Sequence, residues 1–448
     1  MDDKKKGKSG YGIGSNVVAN GILQFLNYAF PIITLPFVGR IIGTEEFGVI
    51  NFYSVLVGYF TLFVIYGFDA SATRRVPELV KNPSALKVFF VEIQSSKILL
   101  LLIAALVYSI LLLLIPDGNE HYKVAWSTFA VAAGWALMPN WFVQGIRRMK
   151  ELVWLNIIPK TFFLVLIFLF IRSVNDSYLY PLFISLSAIF SAFLSLLYLR
   201  LRLKMPLKIH FNQSMFNRLW SERLVFLSSL INNLNQTVSI IILASFVSYS
   251  QVGVFSLGWR MMNVIQVLVS VPILQALFPV LGVQLRSDIQ EGTKSLNRSI
   301  PLLLIIVTIA GGSLWLISPW LINFFFGAEF IDAAGVYQLI AFVPLISLLN
   351  HLIGSSFLLN LGYDNDVLRV TIVASITAII LNLFLISSYG LRGAIIALIL
   401  TEIILLTLYS AMCKRRGLKF WNINQWKLSL VIDHLKAITK DGALSKKY

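Results

Sequence analysis

The chain has 448 residues, of which 57% are hydrophobic and 13% charged, with a mean hydropathy of +0.79. Soluble domains carry about 25% charged residues, so a soluble globular protein is excluded and an all-α polytopic membrane protein is expected. The net charge of +16 would point to nucleic acid in a soluble protein, but here the cations gather in short segments between apolar stretches; they set orientation, and no nucleic-acid partner is expected.

A membrane span needs about 20 mostly apolar residues. In chain order, twelve stretches qualify: 14–38, 47–68, 97–116, 124–144, 152–171, 178–200, 224–248, 253–282, 299–326, 333–360, 368–388 and 391–412. The start, Met1-Asp2-Asp3-Lys4-Lys5-Lys6, is charged and no Ala-x-Ala site follows, so the first stretch reads as a retained helix rather than a signal peptide. Between the first two spans lies Arg40-Ile41-Ile42-Gly43-Thr44-Glu45-Glu46-Phe47-Gly48, where glycines permit a sharp turn. Arg40 there either snorkels to headgroups or binds an anion.

Charge sets the topology. With both termini cytoplasmic, 31 of the 37 Lys and Arg fall on the inner side, five of them in the connection after the second span. The outer side carries Arg40, Lys123, Arg172 and Arg392. This is the positive-inside pattern. The outer loops are short. The inner connection 69–96, through Pro77, Leu79, Val80, Leu86, Phe89, Phe90 and Ile93, fits an interfacial amphipathic helix. In the basic tail, Trp421, Leu428, Val431, Ile432, Leu435 and Ile438 recur at helical spacing, which fits a helix on the inner leaflet or a disordered tail. The expected organisation is a lobe over 1–200, a cytoplasmic linker over 201–223, a second lobe over 224–412 and a tail over 413–448.

A weak repeat relates the halves. Setting Phe37 on Phe246 places Asn20, Gln24 and Asn27 on Ser229, Asn233 and Gln236, each triplet at i, i+4, i+7 and so on one helix face. Amides are costly against lipid tails. Each stripe therefore faces a shared central cavity or glues helices together.

The single cysteine, Cys413, excludes an intrachain disulfide, and the four histidines show no metal spacing. Gly7-Lys8-Ser9 lacks the first glycine and the strand of a phosphate-binding loop. No cofactor is expected. Ionisable residues inside spans are costly and so are informative. They are Lys160 after Pro159 in span five, Arg260 after Trp259 in span eight, His351 in span ten and Glu402 in span twelve. Lys160 and Arg260 have the chemistry to cradle a phosphate. Glu402 titrates or holds Na⁺, or else makes a static ion pair with one of these cations. Arg74, Arg75, Arg147 and Arg148 on inner loops are either positive-inside determinants or the mouth through which an anionic headgroup passes.

Three motifs resemble those of polysaccharide flippases of the Wzx type: Arg40-Ile41-Ile42-Gly43 with Glu46-Phe47-Gly48, Gly67-Phe68-Asp69-Ala70-Ser71-Ala72-Thr73-Arg74, and Pro139-Asn140-Trp141-Phe142-Val143-Gln144-Gly145-Ile146 with Arg148-Met149. The resemblance implies two pseudo-symmetric six-helix lobes around a central cavity, the fold shared with multidrug exporters and lipid II flippases. It implies a non-enzyme in the cytoplasmic membrane of a bacterium. The implied cargo is an undecaprenyl-diphosphate-linked oligosaccharide, flipped from inner to outer leaflet by alternating access for O-antigen or capsule synthesis. H⁺ or Na⁺ as coupling ion, and a polysaccharide polymerase with chain-length machinery as partners, belong to the same expectation. A cation-coupled drug exporter and a membrane-embedded polymerase are the alternatives. The first would need acidic cavity residues. The second usually needs catalytic groups on the outer side.

Overall fold

A computed structural model describes residues 13–115, 120–418, 420–421 and 426, with the side chains of 13–20, 22–29 and 235 outside that description. Among the described residues there is no strand. The chain divides into two compact units, residues 1–230 and 231–448.

The first unit opens with α1 (Ile13–Ile65), whose 53 residues are broken at Gly43 (φ 76°, ψ 179°), a backbone conformation essentially confined to glycine. As one rod α1 would reach about 80 Å, against a hydrocarbon core of roughly 30 Å. The break therefore divides it into two helices of spanning length. Gly67 (φ 78°) then starts α2 (Phe68–Leu79), which buries Phe68, Ala72 and Val76 on one face. A helix does form in the inner connection, but it ends at Leu79. Asn82 caps the next helix by accepting from the Ala85 N–H at 3.1 Å, and Pro83 occupies its first turn, so α3 (Pro83–Leu114) begins well before residue 97. Leu86, Phe89, Phe90 and Ile93 belong to α3 and not to a surface helix.

α4 (Tyr122–Leu137), α5 (Asn140–Gly145), α6 (Met149–Phe170) and α7 (Leu179–Arg202) follow. α4 and α7 pack extensively: a Cβ on Gly134 would fall 2.6 Å from the Ala188 Cβ, and Ser185 Oγ donates to the Ser127 carbonyl at 2.7 Å. Small residues let membrane helices approach this closely. Residues 203–212 run without regular structure along the unit, where the His210 N–H donates to Ser95 Oγ at 2.9 Å, and α8 (Gln213–Ala244) begins.

In the second unit, α9 (Tyr249–Ile265) passes through a π turn at 266–270 into α10 (Val271–Ser287), followed by α11 (Ile289–Phe326). α12 (Asp332–Ile340) and α13 (Val343–His351) meet at a bend of 48°, and α13 continues as a π segment to Leu358. α14 (Asp364–Arg415) is broken at Gly390 (φ 54°, ψ −128°). The core of this unit gathers Leu296, Ile300, Leu348, Leu352, Phe357 and Cys413, all nearly inaccessible. After α14, Phe420 packs edge-on against Phe357, its carbonyl accepts from Asn297 Nδ2 at 2.6 Å, and Trp426 Nε1 donates to Asn297 Oδ1. Leu428, Val431, Ile432, Leu435 and Ile438, on which the tail helix was expected, lie outside the described residues.

The outward faces are apolar. On α3, Leu102, Leu106, Ile110 and Leu113 form one exposed stripe at helical spacing, and on α11 Ile309, Leu316 and Trp320 form another. Soluble monomers rarely expose patches of this extent. Among the described residues seven helices are long and apolar enough to cross a membrane, or nine if each of two bent pairs is one span. The chain is a multi-pass membrane protein.

Candidate functional site

Two of the sequence motifs meet in the first unit. Helix α4 ends at Leu137, and its terminal carbonyls need partners that the helix cannot supply. α3 provides them: Gln94 Nε2 donates to the Ala136 and Leu137 carbonyls at 3.2 and 3.0 Å, and Lys97 Nζ donates to the Met138 carbonyl at 3.0 Å. A cation at a helix C-terminus is favoured by the helix dipole. Pro139 restarts the chain as α5, which lies against α2. Thr73 Oγ1 donates to the Asp69 and Trp141 carbonyls at 2.5 and 3.2 Å, and a Cβ on Gly145 would sit 2.5 Å from Val76 Cβ. Asp69 Oδ1, Asn140 Oδ1 and Trp141 Nε1 are buried here with no hydrogen-bond partner in the structure. Sequence reasoning placed Lys97 among the loop cations. It is instead 1% exposed inside α3. The run Glu92, Gln94, Ser95, Ser96 and Lys97, all buried, was the available signal.

The cations of the expected mouth differ in their surroundings. Arg74, Arg75 and Arg147 are exposed, with Arg74 Nε near the Ala70 carbonyl and the Arg75 guanidinium 6.0 Å from the Phe89 ring centre. Arg147 sits at φ 60°, the turn that carries α5 into α6. Arg148 is half-buried and donates to Tyr198 Oη at 2.8 Å. A residue the sequence reading missed, Glu92, accepts from Arg218 Nε and Nη2 at 3.1 and 2.9 Å and from Ser214 Oγ at 2.6 Å, and the Arg218 guanidinium also covers Phe89 at 4.7 Å. Both guanidinium donors meet one carboxylate oxygen, Oε2, and this ion pair fastens the start of α8 to α3 within the first unit.

Arg40 is exposed three residues before the Gly43 break. Lys160 is half-buried on α6 directly after buried Pro159, and Arg260 is half-buried on α9. The two cations belong to different units. Asn20, Gln24 and Asn27 fall on α1, their side chains outside the described residues. In the matching stripe, Ser229 Oγ donates to the Val225 carbonyl, half-buried Asn233 accepts from Thr237 Oγ1 at 3.1 Å through Oδ1, and Gln236 is exposed. A 61° bend of α8 falls between Leu234 and Gln236.

Glu402, on the second half of α14, meets α13. Ser347 Oγ donates to Oε1 at 2.7 Å, and Asn350 Nδ2 donates to Oε2 at 2.6 Å and to the Glu402 carbonyl at 3.1 Å. These donors are neutral, so the expectation of a static ion pair gives way to a carboxylate held by a hydroxyl and an amide. Asn350 is 4% exposed and its Oδ1 has no hydrogen-bond partner in the structure. The carboxylate of this cluster can take up a proton, and its oxygens are hard donors for a small cation.

Solved structures share this architecture. A multidrug resistance MATE family transporter of the MOP superfamily, in an inward-facing conformation, superposes with a TM-score of 0.67 at 15% identity, covering 90% of this chain and 98% of that one. The lipid II flippase MurJ, in an inward closed conformation, gives 0.67 at 14% identity over 96% and 93%. The fold thus defines a multi-pass helical protein built like the MOP superfamily transporters. Residues 13–285 match the polysaccharide biosynthesis protein family, and the chain belongs to it. The "Putative O-antigen transporter" of Escherichia coli K12 is 27% identical over 88% of this chain and 94% of its own length. The "Probable low-salt glycan biosynthesis flippase Agl15" of Haloferax volcanii is 25% identical over 86% and 78%. The expected kinship with polysaccharide flippases stands, and these relatives are named as a transporter and a flippase, not as enzymes.

Proposed function

We propose that this protein flips an undecaprenyl-diphosphate-linked oligosaccharide from the inner to the outer leaflet of a bacterial cytoplasmic membrane. The observation that carries the reading is the packed α2–α5 pair, which is built from two flippase-like motifs and presents Arg74, Arg75 and Arg147 at its surface. Names of the relatives, an O-antigen transporter and a glycan flippase, support the same substrate class.

In this reading the breaks at Gly43 and Gly390 divide the two longest helices into two spans each, and the chain crosses the bilayer twelve times in two six-helix lobes with both termini cytoplasmic. The arginines receive the diphosphate. Arg40, Lys160 and Arg260, with the amide stripes of α1 and α8, offset its desolvation along a central cavity that opens to each side in turn. An interior-negative potential adds about 2.3 kcal/mol per exported negative charge per 100 mV. Glu402 couples H⁺ or Na⁺ to the cycle, and a polymerase with chain-length machinery takes the product.

The test is mass spectrometry of lipid-linked saccharides in cells before and after loss of the protein, with leaflet-selective labelling. Accumulation of one undecaprenyl-diphosphate saccharide on the inner face is expected. Normal surface polysaccharide with altered drug sensitivity would replace the reading with a drug exporter. Accumulation on the outer face alone would replace it with a polymerase.

A further inference from the structure

Where the two ends of α14 come together, a cleft of about 490 Å³ opens between the first turns of its first half and the last turns of its second. Four charged residues rim it: Asp366, Arg369, Arg415 and Arg416. Asp366 is 3% exposed and is engaged chiefly by Arg416, which donates through Nε at 2.7 Å and Nη2 at 2.5 Å while lying over the Tyr363 ring. Arg369 is a distant second partner, 3.9 Å from Oδ1, and its side chain is 76% exposed. One carboxylate therefore offsets one guanidinium, and the rim keeps two positive charges.

Below the rim the chemistry changes. Val373 lies one helical turn past Arg369, and Leu408 and Ala411 lie one to two turns before Arg415, all three lining the cleft. A cationic rim over an aliphatic wall at the end of a membrane hairpin matches an amphiphile with an anionic head and acyl chains. Free phosphate has no use for the wall, and a neutral lipid has none for the net positive charge of the rim. Basic pockets at the ends of transmembrane helices hold anionic headgroups in this way.

We infer that this cleft binds an anionic glycerophospholipid, its phosphate between Arg369 and Arg415 and an acyl chain along Val373 and Leu408. Arg74, Arg75, Arg147 and Arg148 belong to the other unit. The cleft's place in the inner leaflet rests on the orientation proposed above. Binding itself does not rest on flipping, so the two readings fail separately.

The experiment is native mass spectrometry of the full-length, delipidated protein titrated with dioleoyl phosphatidylglycerol or dioleoyl phosphatidylcholine. At about 1 kcal/mol per arginine, the wild type is expected to favour phosphatidylglycerol roughly 10- to 30-fold. The double variant Arg369→Gln/Arg415→Gln, which leaves the Asp366–Arg416 pair intact, is expected to erase that preference. Ala411→Trp fills the cleft with every charge kept, and is expected to weaken the first binding event as well. No preference in the wild type, or a preference that survives in both variants, overturns the inference. So does tighter binding of farnesyl diphosphate that is lost in the same variants, which would assign the cleft to the polyprenyl substrate.

Discussion

The Lys97 ammonium lies 3.0 Å from the Met138 carbonyl oxygen, inside the protein and at the C-terminal end of a helix to which it does not belong. A buried cation is costly unless something replaces its water. Here the end of α4 supplies a carbonyl dipole, and the Asp69 carboxylate acts on the ammonium from beyond ion-pair distance. Lys97 thereby ties α3 to the junction at which α4 stops and α5 starts.

Lys97→Ala is expected to destabilise the first unit by about 2–3 kcal/mol, through the lost charged hydrogen bond and the unbalanced Asp69. The check is the melting temperature of purified protein in detergent. Lys97→Met/Asp69→Asn removes both charges and is expected to recover part of the loss. Equal loss in the single and double variants would show that the two charges do not act on each other.

The helix breaks explain how much of this was legible in the sequence. Apolar runs locate spans because a lipid-facing helix has no other composition available, and the stretches marked at 152–171 and 178–200 fall on α6 and α7. Hydropathy failed at the start of α3. Glu92, Gln94 and Lys97 are polar, so the run was cut at 97, although Asn82-Pro83 carries the cap and first-turn proline of a helix start. Their partners are carbonyls of α4 and a guanidinium of α8, over 40 residues away in the chain or more, and side-chain type alone does not reveal a partner at that separation. Glu402 was singled out for the same reason that its surroundings stayed hidden. A carboxylate in an apolar run is conspicuous, while Ser347 and Asn350 are ordinary polar residues until α13 is packed against α14.

Glu402→Gln is expected to keep the protein abundant and folded while lowering export at least tenfold, a barrier change of about 1.4 kcal/mol. The shape is preserved, and Asn350 is able to turn its oxygen toward the new amide. The charge and the titration are lost. Export of the labelled lipid-linked saccharide, measured across imposed pH and Na⁺ gradients, is the check. Wild-type export with unchanged gradient dependence would leave Glu402 a packing residue.

Gly43 is predicted to tolerate no side chain. At φ 76° and ψ 179° the backbone lies in a region essentially closed to residues with a Cβ, and Gly43→Ala is expected to cost about 1–3 kcal/mol. The loss is expected as a lower melting temperature and reduced membrane yield, since straightening this turn would extend α1 beyond the bilayer. Gly21, which has no heavy atom within 4 Å of an added Cβ, is the control, and Gly21→Ala is expected to be tolerated.

The arginines of α2 and of the turn after α5 set topology, receive a headgroup, or do both, and their differing contacts separate these roles. Arg148 is held by Tyr198, so Arg148→Gln is expected to act through packing and to be mimicked in part by Tyr198→Phe. Arg74, Arg75 and Arg147 are exposed and free to meet a phosphate from solvent. The triple variant Arg74→Gln/Arg75→Gln/Arg147→Gln is expected to lower export strongly, and cysteine-accessibility mapping is expected to show an unchanged orientation, because most of the 37 basic residues remain. Arg147→Gly supplies a sharper test. Its backbone is left-handed at φ 60°, where a glycine relieves about 1 kcal/mol of strain, so this variant should be at least as stable as the wild type. Lower export from a more stable protein would separate the loss of the charge from loss of the fold. Undiminished export from both variants, with orientation intact, would remove these arginines from the path of the headgroup.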